Sequence, residues 1–296
     1  MTTERLLPSE SGFAASDEHE WTLVIRPQRG WLDLRLGELW QARELVGIFV
    51  WRDFVSVYKQ TILGPLWHII QPLLTTLVFT VIFGHVARLP TDGLPPFLFY
   101  LSGTVIWGYF ARCVTSTSTT FTANAGLFGK VYFPRLAVPV AILLSNLISF
   151  AIQFATFVGF LIFFYAAGVT VQPNGAIALL PLLLFLMAGF GLALGLIVSS
   201  LTTRYRDLQQ LVSFGVQLLM YATPVLYPIS FVPARYRLLI QANPLTPVIE
   251  TFRYAFLGAG SVSSGGLLYS LGAMAALLFI GLLLFNRTEQ TFMDMV

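Results

Sequence analysis

The residues of this chain that could do chemistry are few and far apart. The three histidines are His19, His68 and His85, and no two of them have the spacing of metal ligands. Cys113 is the one cysteine, so neither an intrachain disulfide nor a thiolate cluster can form. The apolar part of the chain contains no repeated Asp or Glu. These patterns predict no catalytic residues and no metal site.

The segment 124–131 comes closest to a nucleotide-binding loop. Its sequence, NAGLFGKV, lacks the first glycine of a phosphate loop, and Val131 replaces the hydroxyl residue that would hold magnesium. We therefore expect the chain to bind no cofactor and to hydrolyse no ATP. Any energy that drives it must come from another polypeptide, which would carry the ATP and Mg.

Composition indicates a membrane protein. Of the 296 residues, 56% are hydrophobic and 10% are charged, whereas soluble domains carry about 25% charged residues. Residues 1–59 hold 16 of the 31 charges, so a short polar segment precedes a long apolar body. No Lys/Arg cluster is present that could follow the phosphates of a nucleic acid. The segment 136–203 has no ionised side chain, which argues against an ion-coupled pump.

Uncharged windows predict an all-α polytopic fold with about six transmembrane helices within residues 60–285. Each window is long enough to close its backbone hydrogen bonds as a helix in lipid. The gaps between charges, and the Gly168–Gly175 break with Pro173, place the spans at 60–87, 93–111, two spans within 136–203, 208–229 and about 264–285.

The remaining segments are predicted to lie outside the spans. Residues 1–30 read as a cytoplasmic tail, 31–59 as an amphipathic interface helix in the headgroup plane, and 286–296 as a cytoplasmic C-terminus. With the amino terminus inside, eight basic residues flank the cytoplasmic side and four the outside. This asymmetry predicts that both termini are cytoplasmic.

The segment 228–263 combines four prolines with short apolar stretches. Pro228, Pro233, Pro244 and Pro247 prevent one long helix. Two half-length helices dipping back into the outer leaflet fit this pattern, and a plain surface loop fits it as well.

Aromatic residues make up 15% of the chain, and most of them fit lipid-facing bulk or interfacial belts. A subset with flat faces and polar tips suits stacking against sugar rings. These candidates for a carbohydrate path are Trp67, Tyr100, Trp107, Tyr109 and Tyr221. The GLALG sequence at 191–195 is a close-packing motif, which we interpret as helix packing within the bundle.

Several stretches, in order along residues 30–285, resemble permeases of polysaccharide-exporting ABC transporters. The matching stretches are RD at 52–53, YKQTILGPLW at 58–67, QPLL at 71–74, KVYFPR at 130–135, RYRD at 204–207, TPV at 223–225, NP at 243–244 and FR at 252–253. Each motif is weak alone, but together and in order they are specific. Within this family the likeness is strongest to permeases that export O-antigen, the polysaccharide of lipopolysaccharide.

The resemblance implies a homodimer with two nucleotide-binding ATPase subunits in the bacterial inner membrane, and a lipid-linked polysaccharide as cargo. By position, residues that would couple to the ATPase are Arg52, Lys59, Lys130, Arg135, Arg204 and Arg206. Residues that would form a periplasmic gate are Pro228, Asn243, Pro244, Glu250 and Arg253. For Lys130 and Arg135, a purely topological role as positive residues that keep a loop inside is the alternative.

Two other functions remain open from the sequence. The first is an ABC permease for another substrate, such as capsule, teichoic acid, a drug or a small lipid, because it would share the six-span plan. The second is a membrane-embedded acyl- or glycosyltransferase, which would require an acid/base constellation that these residues do not offer.

Overall fold

The computed structural model describes residues 36–58, 64–128, 133–203, 205 and 207–292, and within these ranges all regular secondary structure is helical. Five of the described helices are long and apolar enough to cross a membrane. They cover Trp67–Val86, Pro96–Ser118, Ala137–Ala166, Gly175–Thr202 and Ser264–Glu289. The prediction of an all-α, polytopic membrane protein is therefore confirmed.

We number the α-helices along the chain. They are α1 (Leu36–Gln41), α2 (Arg43–Tyr58), α3 (Trp67–Phe79), α4 (Pro96–Ser118), α5 (Thr120–Ala123), α6 (Ala125–Phe128), α7 (Ala137–Ala166), α8 (Leu180–Thr202), α9 (Leu208–Tyr221), α10 (Ala234–Ala242), α11 (Thr246–Leu257) and α12 (Ser264–Phe292). A π-helical stretch, Thr80–Val86, extends α3, and a 3₁₀ turn, Gly175–Leu179, precedes α8.

The span predicted at 208–229 is shorter than expected. Helix α9 has 14 residues, which is about 21 Å of helix, and a hydrocarbon core is about 30 Å thick. The helix ends at Tyr221 because Pro224 disfavours helical backbone at the residue before it and cannot donate an amide hydrogen bond. The chain then turns and continues into the two short helices α10 and α11, where two half-length helices were expected.

The bundle has two chemically distinct ends. At one end, which we call the near end, α2 packs in one cluster with residues 121–128, residues 133–141 and the last turns of α12, through Val46, Phe121 and Phe285 among others. The opposite end, which we call the far end, holds the connections 87–95 and 167–175 together with residues 222–263. Hydrogen bonds tie these segments together, from Ser230 to Asp92 and from the Asn174 amide to the Ala255 carbonyl.

Helix α4 lies at the centre of the bundle. It contacts α3, α7, α8, α9 and α11, and 72% of its apolar window is buried. By contrast, 11% of the window of α3 and its π-helical extension is buried. The chain is therefore organised around α4, while α3 offers most of its surface to lipid or to another protein.

Glycines allow α4 and α8 to approach closely. A Cβ placed at Gly191 would lie 2.5 Å from Cys113 Cβ, and one at Gly195 would lie 2.5 Å from Thr117 Cβ. Without these glycines the helix axes would have to separate, because packed interiors leave no room for an added methyl group. The interpretation of the 191–195 motif as bundle packing is confirmed.

This contact predicts that Gly195→Ala destabilises the protein, even though alanine favours a helix over glycine by about 1 kcal/mol. We expect a net loss of about 1–3 kcal/mol from overpacking, seen as a lower midpoint of thermal unfolding of the purified protein in detergent. The matched control is Gly159→Ala on α7, where an added Cβ meets no atom within 4 Å among the described residues. Equal midpoints for the two variants would contradict the packing role.

Candidate functional site

The far end contains a helical hairpin formed by α10 and α11, which is anchored by one buried arginine. Arg253 on α11 is 1% exposed. Its Nη1 donates to Glu250 Oε1 at 3.2 Å, and its Nη2 donates to the carbonyl oxygens of Pro224 and Val225, each at 3.1 Å. Its Cζ lies 3.9 Å above the centre of the Phe99 ring of α4. One side chain thus joins α11 to the end of α9 and to the central helix.

The local sequence explains why α11 is a short, well-defined helix. Pro247 occupies its first turn, where a proline costs no hydrogen bond, and Gly258 ends it in the left-handed conformation at φ +78°. In the last turn of the helix, the Tyr254 carbonyl accepts a hydrogen bond from the Asn174 side chain at 2.9 Å. The helix is therefore fixed at both termini between α9 and the 167–175 connection.

The turn between α10 and α11 is held by Asn243 and by two residues of α12. Asn243 Nδ2 donates to Thr223 Oγ1 at 2.8 Å, and its Oδ1 accepts from the Leu245 amide at 3.0 Å. Ser270 Oγ donates to the Pro244 carbonyl at 2.6 Å, and Tyr269 OH donates to the Ala242 carbonyl at 2.7 Å. The Asn-Pro pair therefore links three helices at the far end.

The electrostatics of the hairpin are dominated by the buried ion pair. Burial raises the pKa of Glu250, while the adjacent Arg253 guanidinium lowers it and the Asp92 carboxylate raises it further. Gly260, at φ +108°, packs directly against Glu250, since a Cβ there would lie 2.9 Å from the Glu250 carbonyl oxygen. Pro228 stands apart, immediately before the short 3₁₀ turn Ile229–Phe231. The structure thus brings together Asn243, Pro244, Glu250 and Arg253, and their role as a gate stays a prediction.

The predicted coupling residues lie at the near end where the structure describes them. Arg52 pairs with Asp53, with Nη2 2.8 Å from Oδ1, and its Cζ lies 4.9 Å from the Phe49 ring centre. Arg135 donates from Nη1 to the Glu289 carbonyl at 2.6 Å, and its Nε lies 3.8 Å from the Glu289 carboxylate. The other four candidates, Lys59, Lys130, Arg204 and Arg206, lie outside the described residues.

The structure does not bring the five predicted path aromatics together. Tyr100, Trp107 and Tyr109 are buried in the core of a single chain, at 0%, 5% and 3% exposure. Trp67 and Tyr221 are exposed, at 52% and 44%. Only the latter two present a ring that another molecule could contact in this conformation, and path lining stays a prediction for the set.

Helix α9 has an exposed face that mixes amides with aromatic rings. Gln209, Gln210 and Gln217 are exposed beside Phe214 and Tyr221, and Gln217 Nε2 donates to Tyr221 OH at 3.3 Å. Amide groups facing lipid tails would lose their hydrogen bonds to water at a cost of several kcal/mol, roughly. This face is therefore suited to contact protein or water rather than lipid.

Sequence reasoning missed Arg112, which the structure places inside the bundle. Its Nη2 donates to Gln153 Oε1 of α7 at 3.0 Å, and its Nε is buried without a hydrogen-bond partner among the described residues. The signal was a single cation in an otherwise apolar span. Ionisable residues within membrane spans are rare and usually mark function.

Arg112 lines a cavity of about 370 Å³ between α2, α3, α4 and α7. His68, Ser145, Asn146 and Ser149 also line it, and the Ser149 hydroxyl lies 3.4 Å from His68 Nε2. Within the described ranges, no group of three or more His, Cys, Asp or Glu side chains could hold a metal ion. The cavity therefore offers the Arg112 cation, several neutral hydrogen-bonding groups and the Asp53 carboxylate, which pairs with Arg52.

Long apolar helices around a buried central span, with a polar hairpin at one end and a cationic cavity near the other, define a polytopic membrane protein with polar sites at both ends. Comparison with protein families identifies its class as a transporter. Residues 44–257 match the family described as ABC-2 type transporter, and the chain belongs to that family.

Individual relatives match over most of their length. An O-antigen export system permease protein RfbA from Klebsiella pneumoniae is 29% identical over 255 residues, covering 86% of this chain and 95% of that protein. RfbA from Myxococcus xanthus is 29% identical over 74% of this chain and 82% of its own length. The polysialic acid transport protein KpsM from Escherichia coli is 26% identical over 81% of this chain and 91% of its own length.

The anchoring role of Arg253 predicts that Arg253→Met lowers the free energy of unfolding by about 3–5 kcal/mol, because Glu250 is left buried without its counter-ion. The fluorescence midpoint of thermal unfolding in detergent measures the loss. The control is Arg235→Met on the exposed surface of α10, which removes the same charge and should change stability by less than about 0.5 kcal/mol. If both variants unfold at the same temperature, the anchor is not Arg253.

Proposed function

We propose that this chain is the channel-forming membrane subunit of an ABC transporter that exports a lipid-linked polysaccharide of the O-antigen type across the bacterial inner membrane. The observation that carries the proposal is the similarity to O-antigen export permeases along nearly the whole of their length. ATP hydrolysis takes place in a separate subunit, which binds the ATP and Mg.

The proposal includes a homodimer with two ATPase subunits. The exposed amide-and-aromatic face of α9 supports a second copy or a polar path beside this helix, because lipid is a poor partner for its glutamines. A path shared by two copies would use Tyr221 and Trp67, whose rings are exposed, to stack on sugar rings. The far-end hairpin would then stand beside the exit of this path.

In this proposal both termini and the near end face the cytoplasm. Helix α2, the segment 120–135 and the loop near 203–207 would meet the ATPase there. ATP binding can bias the permease only if these contacts differ between two arrangements of its helices. Arg135 suits such a role, since it links the loop before α7 to the last turns of α12.

A capsule-type polysaccharide is the second candidate cargo. The similarity to a polysialic acid transport protein supports it, with lower identity than that to the O-antigen permeases. The two cargoes share the architecture and differ in which surface polymer disappears when the gene is deleted.

The proposal predicts that deletion of this gene abolishes a surface polysaccharide and that the chain restores it only together with its ATPase. Gel analysis of lipopolysaccharide and of extracted capsule identifies which polymer is lost. The control is the ATPase carrying a substitution in its phosphate loop, which should restore nothing. Restoration by this chain alone, with no ATPase present, would refute the proposal.

We further predict that Arg135→Ala lowers both export and permease-stimulated ATP hydrolysis at least fivefold while the topology stays correct. The matched variant is Glu289→Gln, which weakens the ion pair but keeps the hydrogen bond to the Glu289 carbonyl, so its effect should be smaller. Both rates are measured on the purified complex in proteoliposomes. Unchanged export and unchanged stimulation in Arg135→Ala would contradict coupling through this residue.

A further inference from the structure

Among the described residues, Arg253 is fully buried and Arg112 is half-buried with its Nε atom shielded from solvent, and the charges of these two arginines are compensated very differently. Arg253 faces the Glu250 carboxylate, two carbonyl oxygens and the Phe99 ring. Among the described residues, Arg112 donates one side-chain hydrogen bond, to the neutral amide oxygen of Gln153. Both leave Nε without a partner among the described residues, so the difference between them lies in the missing counter-charge.

A guanidinium that is partly shielded from water and has no carboxylate partner is stabilised when an anion binds to it. Burying an ion that lacks a partner costs far more than burying a neutral polar group. A guanidinium carries five N–H donors in a planar fork that matches the oxygens of a phosphate. The N–H groups of Arg112 that do not bind Gln153 are therefore suited to bind an oxyanion.

The surroundings of Arg112 suit such an anion. The cavity wall adds hydroxyl, amide and imidazole groups from Ser145, Asn146, Ser149 and His68, and the Ser145 hydroxyl is itself buried without a partner in the described part of the chain. Each of these groups can donate to a phosphate oxygen. The cavity's volume of about 370 Å³ is ample for a diphosphate group.

Asp53 also lines the cavity, and its carboxylate forms an ion pair with Arg52 on the same helix, α2. Arg52 donates to Asp53 Oδ1 from Nε at 2.9 Å and from Nη2 at 2.8 Å. Among the described residues, no hydrogen bond or ion pair joins Asp53 to Arg112, so the contacts of this carboxylate are with Arg52 on its own helix.

The location of the cavity indicates how a ligand arrives. Its walls come from the C-terminal part of α2, the first turn of α3, the last turns of α4 and the N-terminal half of α7, which all lie towards the near end. Basic pockets between spans at the headgroup level bind the phosphates of lipids. We propose that Arg112 and the polar wall around it bind the phosphate or diphosphate group of a membrane-borne lipid.

This inference deepens the proposed function, and it rests on that function only in identifying the lipid as the anchor of the exported polymer. Held there, the phosphate would fix the lipid end of the cargo beside α3 while the sugar chain enters the path. An ordinary phospholipid headgroup or free phosphate offers the same chemistry. Binding measurements with each of these ligands distinguish them from the lipid anchor of the cargo.

The test measures binding to the purified complex of this chain with its ATPase in nanodiscs. Probes are farnesyl diphosphate, farnesyl phosphate, farnesol, inorganic diphosphate and phosphatidylglycerol, added to zwitterionic nanodiscs. We expect farnesyl diphosphate to bind, farnesol not to bind, and Arg112→Gln to weaken the diphosphate at least tenfold. The matched control is Arg88→Gln at the exposed far end, which should bind like the parent.

A second variant covers the case in which Arg112→Gln does not fold. Asn146→Asp keeps the shape of a side chain in the cavity wall and adds a carboxylate to the cavity that Arg112 also lines. We expect this built-in counter-ion to lower the affinity for farnesyl diphosphate at least tenfold without lowering the midpoint of thermal unfolding. A purely structural Arg112 would leave the affinity unchanged.

The outcomes are distinguishable. Binding of farnesyl diphosphate that depends on Arg112 supports the inference. Binding of inorganic diphosphate or phosphatidylglycerol with equal affinity would assign the site to free or bulk-lipid phosphate and would overturn the cargo role. Equal binding by the parent chain, Arg112→Gln and Asn146→Asp, or no binding of any anion, would overturn the site itself. None of these measurements depends on export, so failure of the proposed function would show separately in the deletion experiment.

Discussion

The structure depends on one constraint, which is that a polar group inside an apolar bundle must find its partner within the protein. Arg253 shows how strongly this constraint shapes the fold. Its guanidinium donates hydrogen bonds to a carboxylate on its own helix and to two backbone carbonyls in the turn after α9. The turn exists because Pro224 ends α9 early, and its freed carbonyls then need donors. The break at Pro224 thus shortens α9 and also supplies the carbonyl oxygens to which Arg253 anchors the hairpin α10–α11.

The same constraint acts at the near end, where the fold supplies partners for one arginine and leaves another without a counter-ion among the described residues. Arg135 finds a carbonyl and a carboxylate on α12, so the loop before α7 is tied to the end of the last span. Arg112 finds a neutral amide and an open polar cavity. Charges that the fold satisfies hold helices together, and a charge that the fold leaves unsatisfied is available to a ligand. This distinction separates anchoring arginines from a binding arginine in a chain with few charges.

Close packing supplies the rest of the architecture. Between apolar helices in lipid no hydrophobic gain drives association, so contact depends on shape and on small residues. Gly191 and Gly195 let α8 lie directly against Cys113 and Thr117 of α4. This contact buries α4 and leaves α3 and α9 at the periphery. A buried centre with exposed peripheral helices leaves the surfaces of α3 and α9 available for contact with lipid or with another protein.

The sequence by itself determined the class of the protein, most of its spans and the break of any long helix within 228–263, and the structure decided between two short helices and a loop there. Those features follow from local properties, namely uncharged length, proline positions and the need of each span to close its own hydrogen bonds. The amino-acid order also carried the family resemblance that the comparison with ABC-2 type transporters bears out.

Tertiary structure alone decided which polar residues are partnered. Tyr100, Trp107 and Tyr109 have the same chemistry as Trp67 and Tyr221, yet three of these rings are buried and two are exposed. Arg112 and Arg253 are both single cations near apolar helices, and only their neighbours from distant segments distinguish an anchor from a candidate site. A sequence pattern shows that burying a polar side chain costs free energy. The partner that offsets this cost comes from a distant segment of the chain. That pairing exists only once the helices have packed.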